Sequence, residues 1–413
     1  MLNWANQFNI CTFLDNHHYA SHHSSVECLL ATGVVRSFSI SNNVTVLPEL
    51  KAFLHNNDDW LFGHIGYDFG NNIPAGTTAN KQDGIGFEDI FLFQPEIVLQ
   101  LSALEVTISS LTVLPEKIFQ DIYYTQPVPL SATATSNLTI HARITKEAYL
   151  QTIQQLRQHI LRGDCYEINF CQEFYAENAM VDTLYLYNRL TQVSPNPFAC
   201  YYKLNHRHLL CASPERYIRK TGNHIVSQPI KGTHKRNLLN MEADVQLQQQ
   251  LYNSAKDRSE NVMVVDLVRN DLSKICKEGS VQVEELFGIY TFPQVHQMIS
   301  SIAGELKDGM DLSDVLEATF PMGSMTGAPK KRVMELIAQY EKTKRGLYSG
   351  TVGYITPDND FDFNVVIRSI LYNAESRYLS YQVGGGITYN SVAEEEYEEC
   401  LLKASAIEKV LNG

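Results

Sequence analysis

Three groups of residues in this sequence combine types and spacings that would do chemistry. The first joins Ser213-Pro-Glu215-Arg216 to Gln228-Pro-Ile-Lys231-Gly-Thr233. The Thr221-Gly222-Asn223 turn between them, flanked by alternating residues, predicts a hairpin that brings the two side chains together. A carboxyl group beside an amine suits acid-assisted covalent catalysis, in which the amine attacks only as the neutral base. Lysine's ordinary pKa of about 10.4 would then have to be lowered by burial or by nearby positive charge. The same spacing also fits a plain cross-strand salt bridge.

The second group is Lys256-Asp257-Arg-Ser-Glu260-Asn-Val-Met-Val-Val-Asp266-Leu-Val-Arg269. Asp257 and Glu260 stand three apart on an expected helix whose apolar residues Val262 to Val265 imply burial. Carboxylates held against apolar surface are costly unless paired or metal-bound. An internal ion-pair network with Lys256, Arg258 and Arg269 meets that need as well as a metal does. The third group is Val383-Gly384-Gly385-Gly386 followed by Glu394-Glu-Glu396-Tyr-Glu-Glu399-Cys-Leu-Leu-Lys403. On a helix Glu396, Glu399 and Lys403 share one face. Such an acidic run is usually a solvated face, but a strand ending in glycines lets backbone N–H groups approach a ligand, with carboxylates nearby for a hard cation. The histidines of His17-His18-Tyr-Ala-Ser-His22-His23 lack acidic or thiol partners at ligand spacing and are expected in a solvated loop.

The elements that must position these groups read as α+β. Residues 1 to about 130 alternate short apolar segments, such as Val44 to Leu47 and Ile97 to Leu104, with turns, and are expected to be mostly strands. A small, hydroxylated stretch at Ser131–Asn137 places a boundary near residue 137, dividing a 1–137 N-terminal region from a 138–413 region that holds all three chemical groups. Helices are expected at 146–162, 242–272, 311–319, 329–341 and 392–411, among strands such as His224 to Ile230 and Tyr378 to Val383. No regular βαβα rhythm appears, which favours large antiparallel sheets over a doubly wound fold. The 413 residues carry a formal net charge of −13, against a nucleic-acid or anionic-membrane face. Eight scattered cysteines without a CxxC pair, no apolar run of membrane length and no secretory start lead to an expectation of reduced thiols in the cytoplasm.

Taken in order, SPER at 213–216, PIKGT at 229–233, KDRSEN at 256–261 with DLVRNDL, FPMGSMTGAPK at 320–330, IRS at 367–369 and GGGIT with EEEYEECLLK resemble the chorismate-utilising family. That family includes anthranilate, aminodeoxychorismate, isochorismate and salicylate synthases. The likeness runs over about residues 140–413, and the N-terminal third resembles the family only loosely, through Gly63-His-Ile-Gly-Tyr67. It implies the fold of anthranilate synthase component I, large antiparallel sheets packed as a sandwich with helices outside. It also implies Mg²⁺ held by Glu260 and Glu399 with Asp257 and Glu396 alongside, and substrate held by Arg368, Tyr348, His296, Ser324, Lys403 and the backbone of Gly384, Gly385 and Gly386. Lys231 and Glu215 would be catalytic.

Relatives that make anthranilate, isochorismate or salicylate usually carry alanine at the position of Lys231. Lysine there implies that its amine adds at C2 of chorismate while Glu215 protonates the departing C4 hydroxyl, and that ammonia then enters at C4 and expels the lysine. Such a reaction needs a glutamine amidotransferase partner for ammonia and a separate lyase to release 4-aminobenzoate toward folate. Amination at C2 by the same fold, and a non-catalytic chorismate-binding subunit, are the other readings. Two departures stand out. Glu167 occupies a place where relatives commonly have glutamine and isochorismate-forming ones a water-activating lysine, so hydration is not expected. Leu29-Leu-Ala-Thr-Gly33 lacks the leucine-glutamate-serine pattern tied to tryptophan binding.

Overall fold

The computed structural model describes residues 1–19, 27–41, 46–69, 81–126 and 138–412. Among them, two antiparallel sheets of eleven and ten strands form the framework. In the first sheet the order is Gly327–Ala328, Glu167–Ala176, Tyr378–Ile387, Ser369–Asn373, Arg207–Ser213, Phe198–Leu204, Ile10–Asp15, Cys28–Thr32, Ile97–Leu101 and Val106–Ser110, with His141–Ala142 beside Glu167–Ala176. The second runs Ile230–Lys235, Val295–Glu305, His224–Gln228, Arg216–Thr221, Phe361–Asn364, Thr351–Ile355, Leu61–Ile65, Ile90–Gln94 and Arg36–Ile40, with Gln282–Thr291 beside Val295–Glu305.

The largest apolar core draws on both sheets, with Leu29, Ala31 and Leu209 of the first meeting Phe62, Phe93 and Phe363 of the second. A second core fills the space between the first sheet and the helices Lys146–Leu161, Thr183–Val193, Lys330–Tyr340 and Ala393–Leu411. Strands covered on both faces read as unbroken apolar runs, as in Cys28–Thr32, where all five residues are buried. This is the sandwich with outer helices that the sequence implied. Strands preceding residue 127 occupy one end of each sheet, and strands following residue 138 form the other.

Twice the chain passes from one sheet to the other at neighbouring points. It leaves the first sheet at Ser213 and enters the second at Arg216, and it leaves the second at Asn364 and returns to the first at Ser369. Pro214 ends the first of these strands, because it cannot donate to a ladder. The Ser213 hydroxyl then accepts the Glu215 N–H at 3.1 Å, and Val365 N–H donates to the Glu215 carbonyl at 3.0 Å, tying the two crossings together.

Expectations and structure differ in three places. The 242–272 helix is two, Met241–Asn253 and Ala255–Ile275, because Ser254 stops the first and caps the second by accepting the Asp257 N–H. Leu47 opens a helix, Leu47–His55, with Pro at its start rather than ending a strand; Val44 lies outside the described residues. The helices Pro115–Tyr124 and Thr183–Val193 are not among those expected from the sequence. His17 and His18 sit in a loop at positive φ, while His22, His23 and Ser131–Asn137 fall outside the described residues. Among the described residues no helix is long and apolar enough to cross a membrane.

The N-terminal and C-terminal strands of the second sheet meet where Gly63 pairs with Gly353. A Cβ on Gly353 would stand 2.2 Å from the Asp362 carbonyl and 2.7 Å from the Phe363 ring. Gly353→Ala is therefore expected to destabilise by about 1–3 kcal/mol through overpacking. A lower urea midpoint with an unchanged slope would show it, and an unchanged midpoint would contradict the close approach.

Candidate active site

Glu215 lies on the first crossing between the sheets and Arg368 on the second, so two chain segments remote in sequence deliver an acid and a cation to one place. Arg368 adopts φ of 51°, a left-handed turn that closes the return to Ser369. Burial pushes the Glu215 carboxyl up to about 7, against the opposing pull of the Ser324 hydroxyl, Lys231, the Ile230 N–H and Arg368. Burial likewise draws the Arg368 guanidinium down to about 10, with Glu215 opposing. Ser324 is buried on the short turn Gly323–Met325, and its carbonyl accepts from the Asn169 amide at 3.1 Å.

Lys231 sits on a bulge. Ile230 pairs with Ile299 and Thr233 with Gln297, so the bulged strand holds one residue more than its partner. Gly232 takes φ of 93° there, and a Cβ on it would stand 3.0 Å from the Asp257 side chain. The hairpin Arg216–Thr221 with His224–Gln228 forms as expected, but Pro229 carries Lys231 past its end. Lys231 does not form the cross-strand salt bridge with Glu215. Its amine donates instead to Oε1 of Glu167, the first residue of the strand Glu167–Ala176; the two side chains are 10% and 2% exposed.

This pair corrects the expectation of a lowered lysine pKa. Burial does pull the amine down, but the carboxylates of Glu167, Glu260 and Glu215 outweigh it and hold Lys231 as the ammonium, above its ordinary range. In the sequence Glu167 stands out only as a substitution; its contact with Lys231 crosses from one sheet to the other, and spacing along the chain carries no sign of it.

The glycines make room for these charges. A Cβ on Gly386 would stand 2.6 Å from Glu167 Oε1 and 2.8 Å from Lys231 Nζ; one on Gly385 would meet Glu396 Oε2 at 3.3 Å, Lys403 Nζ at 3.7 Å and Glu399 Oε1 at 3.9 Å. Gly384–Gly386 pair with Asn169–Cys171, and Lys403 donates to the Gly384 carbonyl at 3.0 Å.

Of the four expected metal carboxylates, Glu396 faces Lys256 at 3.6 Å and Glu399 faces Lys403 at 2.8 Å, which holds its carboxyl below the usual range. Burial pushes Glu260 up to about 7 against Lys231, and its Oε1 is buried without a hydrogen-bond partner. Asp257 packs behind Gly232. Among the described residues no three His, Cys, Asp or Glu stand together closely enough to hold a metal ion. The ion-pair alternative for this segment is met only in part, since Arg258 lies over the Tyr252 and Phe287 rings and Arg269 pairs with Asp266.

Two expected substrate residues are already engaged. His296 Nε2 lies 3.1 Å from Asp244 and Nδ1 lies 2.9 Å from Thr291. The Tyr348 hydroxyl is buried 3.8 Å from Cys171 Sγ. Behind them lies a knot that none of the sequence motifs includes. Arg345 donates twice to Glu341, at 3.0 and 2.7 Å, and also to the carbonyls of Met325 and Asn169, while Glu341 accepts the Cys171 N–H at 2.9 Å. Its signal in the sequence was one glutamate four residues before one arginine on a segment that also carries Tyr348.

The pattern of one family, described as chorismate binding enzyme, matches residues 15–409. The chain belongs to that family. The chain is 36% identical over 270 residues to aminodeoxychorismate synthase component 1 of Bacillus subtilis, covering 65% of this chain and 57% of that protein. It is 35% identical over 271 residues to anthranilate synthase component 1 of Aquifex aeolicus, covering 65% of this chain and 54% of that one. The chain thus matches little more than half the length of these curated relatives. Anthranilate synthase component I from Streptococcus pneumoniae shares the fold, with a TM-score of 0.81 over 94% of this chain and 93% of that one at 24% identity.

Arg345 and Glu341 are both almost fully buried. Arg345→Met is expected to cost about 3–5 kcal/mol by leaving Glu341 charged and unpaired, and adding Glu341→Leu should recover much of it. Urea denaturation of the single and double variants checks this. A single variant of wild-type stability would mean that the pair does not carry the local structure.

Proposed function

We propose that this chorismate-binding enzyme aminates chorismate at C4, as the large component of an aminodeoxychorismate synthase. The observation that carries the reading is Lys231, an amine buried among Glu167, Glu215 and Glu260 at the junction of the two sheets. A lysine so placed serves as a covalent nucleophile once its proton is removed. Lys231 adds at C2 of the ring and Glu215, whose raised pKa keeps a proton available near neutrality, gives that proton to the departing C4 oxygen. Ammonia then bonds to C4 and expels Lys231, leaving 4-amino-4-deoxychorismate. Two displacements place the new nitrogen on the carbon that lost oxygen, whereas direct attack at C2 leads toward anthranilate.

Arg368, facing Glu215 across the crossings, offers a planar fork for a substrate carboxylate. Mg²⁺ would be held by Glu260, Glu396, Glu399 and Asp257, an all-oxygen donor set of the kind that ion takes; no three of them stand together in this arrangement, and Glu260 brings a buried oxygen without a hydrogen-bond partner. When bound, that ion would neutralise a carboxylate of the substrate. Ammonia would come from a glutamine amidotransferase partner, a separate lyase would release 4-aminobenzoate for folate, and the work would be done in the cytoplasm. The component 1 designation of the relatives supports a partnered enzyme. Retention of Glu215, Lys231 and the carboxylates speaks against a non-catalytic subunit.

Incubating the protein with chorismate, Mg²⁺ and ammonium, and identifying products by liquid chromatography and mass spectrometry, tests the reading. Aminodeoxychorismate is expected from the wild type, with Lys231→Ala lowering its rate by about 100-fold or more. Anthranilate from the wild type would overturn the assignment and leave the family intact.

Because Glu215 must be protonated to act, kcat/KM for chorismate at fixed free ammonia is expected to fall as pH rises through about 7. A profile flat from pH 6 to 8.5, a range bracketing the raised carboxyl, would remove Glu215 from the acid role.

A further inference from the structure

Lys231 is held as an ammonium, yet the reaction proposed above requires a lone pair on Nζ. Four carboxylates face it: Glu167 from the strand Glu167–Ala176, Glu215 from the crossing, Glu260 from the helix Ala255–Ile275 and Glu399 from the helix Ala393–Leu411. Only Glu167 is in hydrogen-bond contact with Nζ among the described residues. Glu215 is turned to the Ser324 hydroxyl and the Ile230 N–H, and Glu399 is bound to Lys403. Glu167 is 1% exposed, and its other oxygen, Oε2, is buried with no hydrogen-bond partner. The missing Cβ of Gly386 is what lets the two side chains meet, since it would overlap both.

We propose that Glu167 is the base that takes the Nζ proton of Lys231 and so frees the amine to attack. This inference rests on the covalent-lysine reading. In the first half-reaction an Nζ–H bond breaks and its proton passes to Glu167. The Nζ lone pair then forms the bond to C2, the ring double bonds shift, and the C4–O bond breaks as Glu215 supplies the proton that completes water. In the second, ammonia bonds to C4 and the C2–Nζ electron pair returns to Lys231. Glu167 gives its proton back to Nζ, and the ammonium on C4 gives one to Glu215, so both carboxyl groups end as they began. The amide of glutamine keeps the shape and one acceptor oxygen of Glu167 but takes no proton.

Two variants of the full chain, Glu167→Gln and Glu167→Ala, are compared with wild type in single-turnover consumption of chorismate, with Mg²⁺ and without ammonia. Both are expected to slow that consumption by about 100-fold, the scale of a lost general base. Formate is expected to restore a large part of the rate in Glu167→Ala, where it fits the space left by the carboxylate, and none in Glu167→Gln. A Glu167→Gln rate within about tenfold of wild type would overturn the proposal, as would a folded, slow Glu167→Ala that formate leaves slow, which would make Glu167 a positioning residue. If Glu167→Ala does not fold, the Glu167→Gln rate decides alone. The underlying reading fails separately: wild type would consume no chorismate without ammonia, or Lys231→Ala would consume it as fast as wild type does.

Discussion

An ammonium group taken out of water at the junction of two sheets has to be surrounded by opposite charge, and much of this site follows from that one demand. Desolvating a lone lysine costs several kcal/mol, so a buried lysine loses its proton or acquires carboxylates. Lys231 has acquired them, from a strand of the first sheet, from the crossing between the sheets and from a helix behind the second. The same carboxylates need the lysine in turn. Glu215 and Glu260 are both driven upward by burial, and Lys231 moderates each. The site is thus a balanced set in which removing Lys231 would raise the cost of keeping Glu215 and Glu260 charged.

The fold meets this demand by topology. Two chain crossings run side by side between the sheets, one bringing Glu215 and the other Arg368, and a hydrogen bond from Val365 to the Glu215 carbonyl joins them. A bulge turns Lys231 toward the far sheet, and a strand of glycines leaves the volume in which the charges meet. Arg345 and Glu341 brace this from behind by binding the backbone of Asn169, Cys171 and Met325 in one knot. Rigid elements on every side hold Lys231 and Glu215, which is the condition the proposed nucleophile and acid need to act in concert.

How much of this was legible in the sequence varied with the range of the interaction. Local signals read well: the helices at Lys146–Leu161, Leu312–Thr319 and Lys330–Tyr340 fell near their expected bounds, because periodicity is written within a few residues. The Ser254 break was missed, since a serine inside an amphipathic run looks like any solvent-facing residue until its hydroxyl is seen to cap. The hairpin between Glu215 and Lys231 was correctly read, yet the partner of Lys231 was not, because Glu167 reaches it from the other sheet. Motif order pointed to the meeting of Glu215, Ser324 and Arg368, while the sign of the lysine's pKa shift depended on four segments at once and on their burial.

The central claim is that Lys231 bonds covalently to the substrate ring. Its most direct test is peptide mapping of protein mixed with chorismate and Mg²⁺ in the absence of ammonia, then rapidly quenched in acid and digested. The account predicts that the peptide containing Lys231 carries the mass of chorismate less one water, with fragmentation placing the addition on Nζ, and that adding ammonia before the quench removes it. A Lys231 peptide of unmodified mass under conditions in which chorismate is consumed would contradict the account.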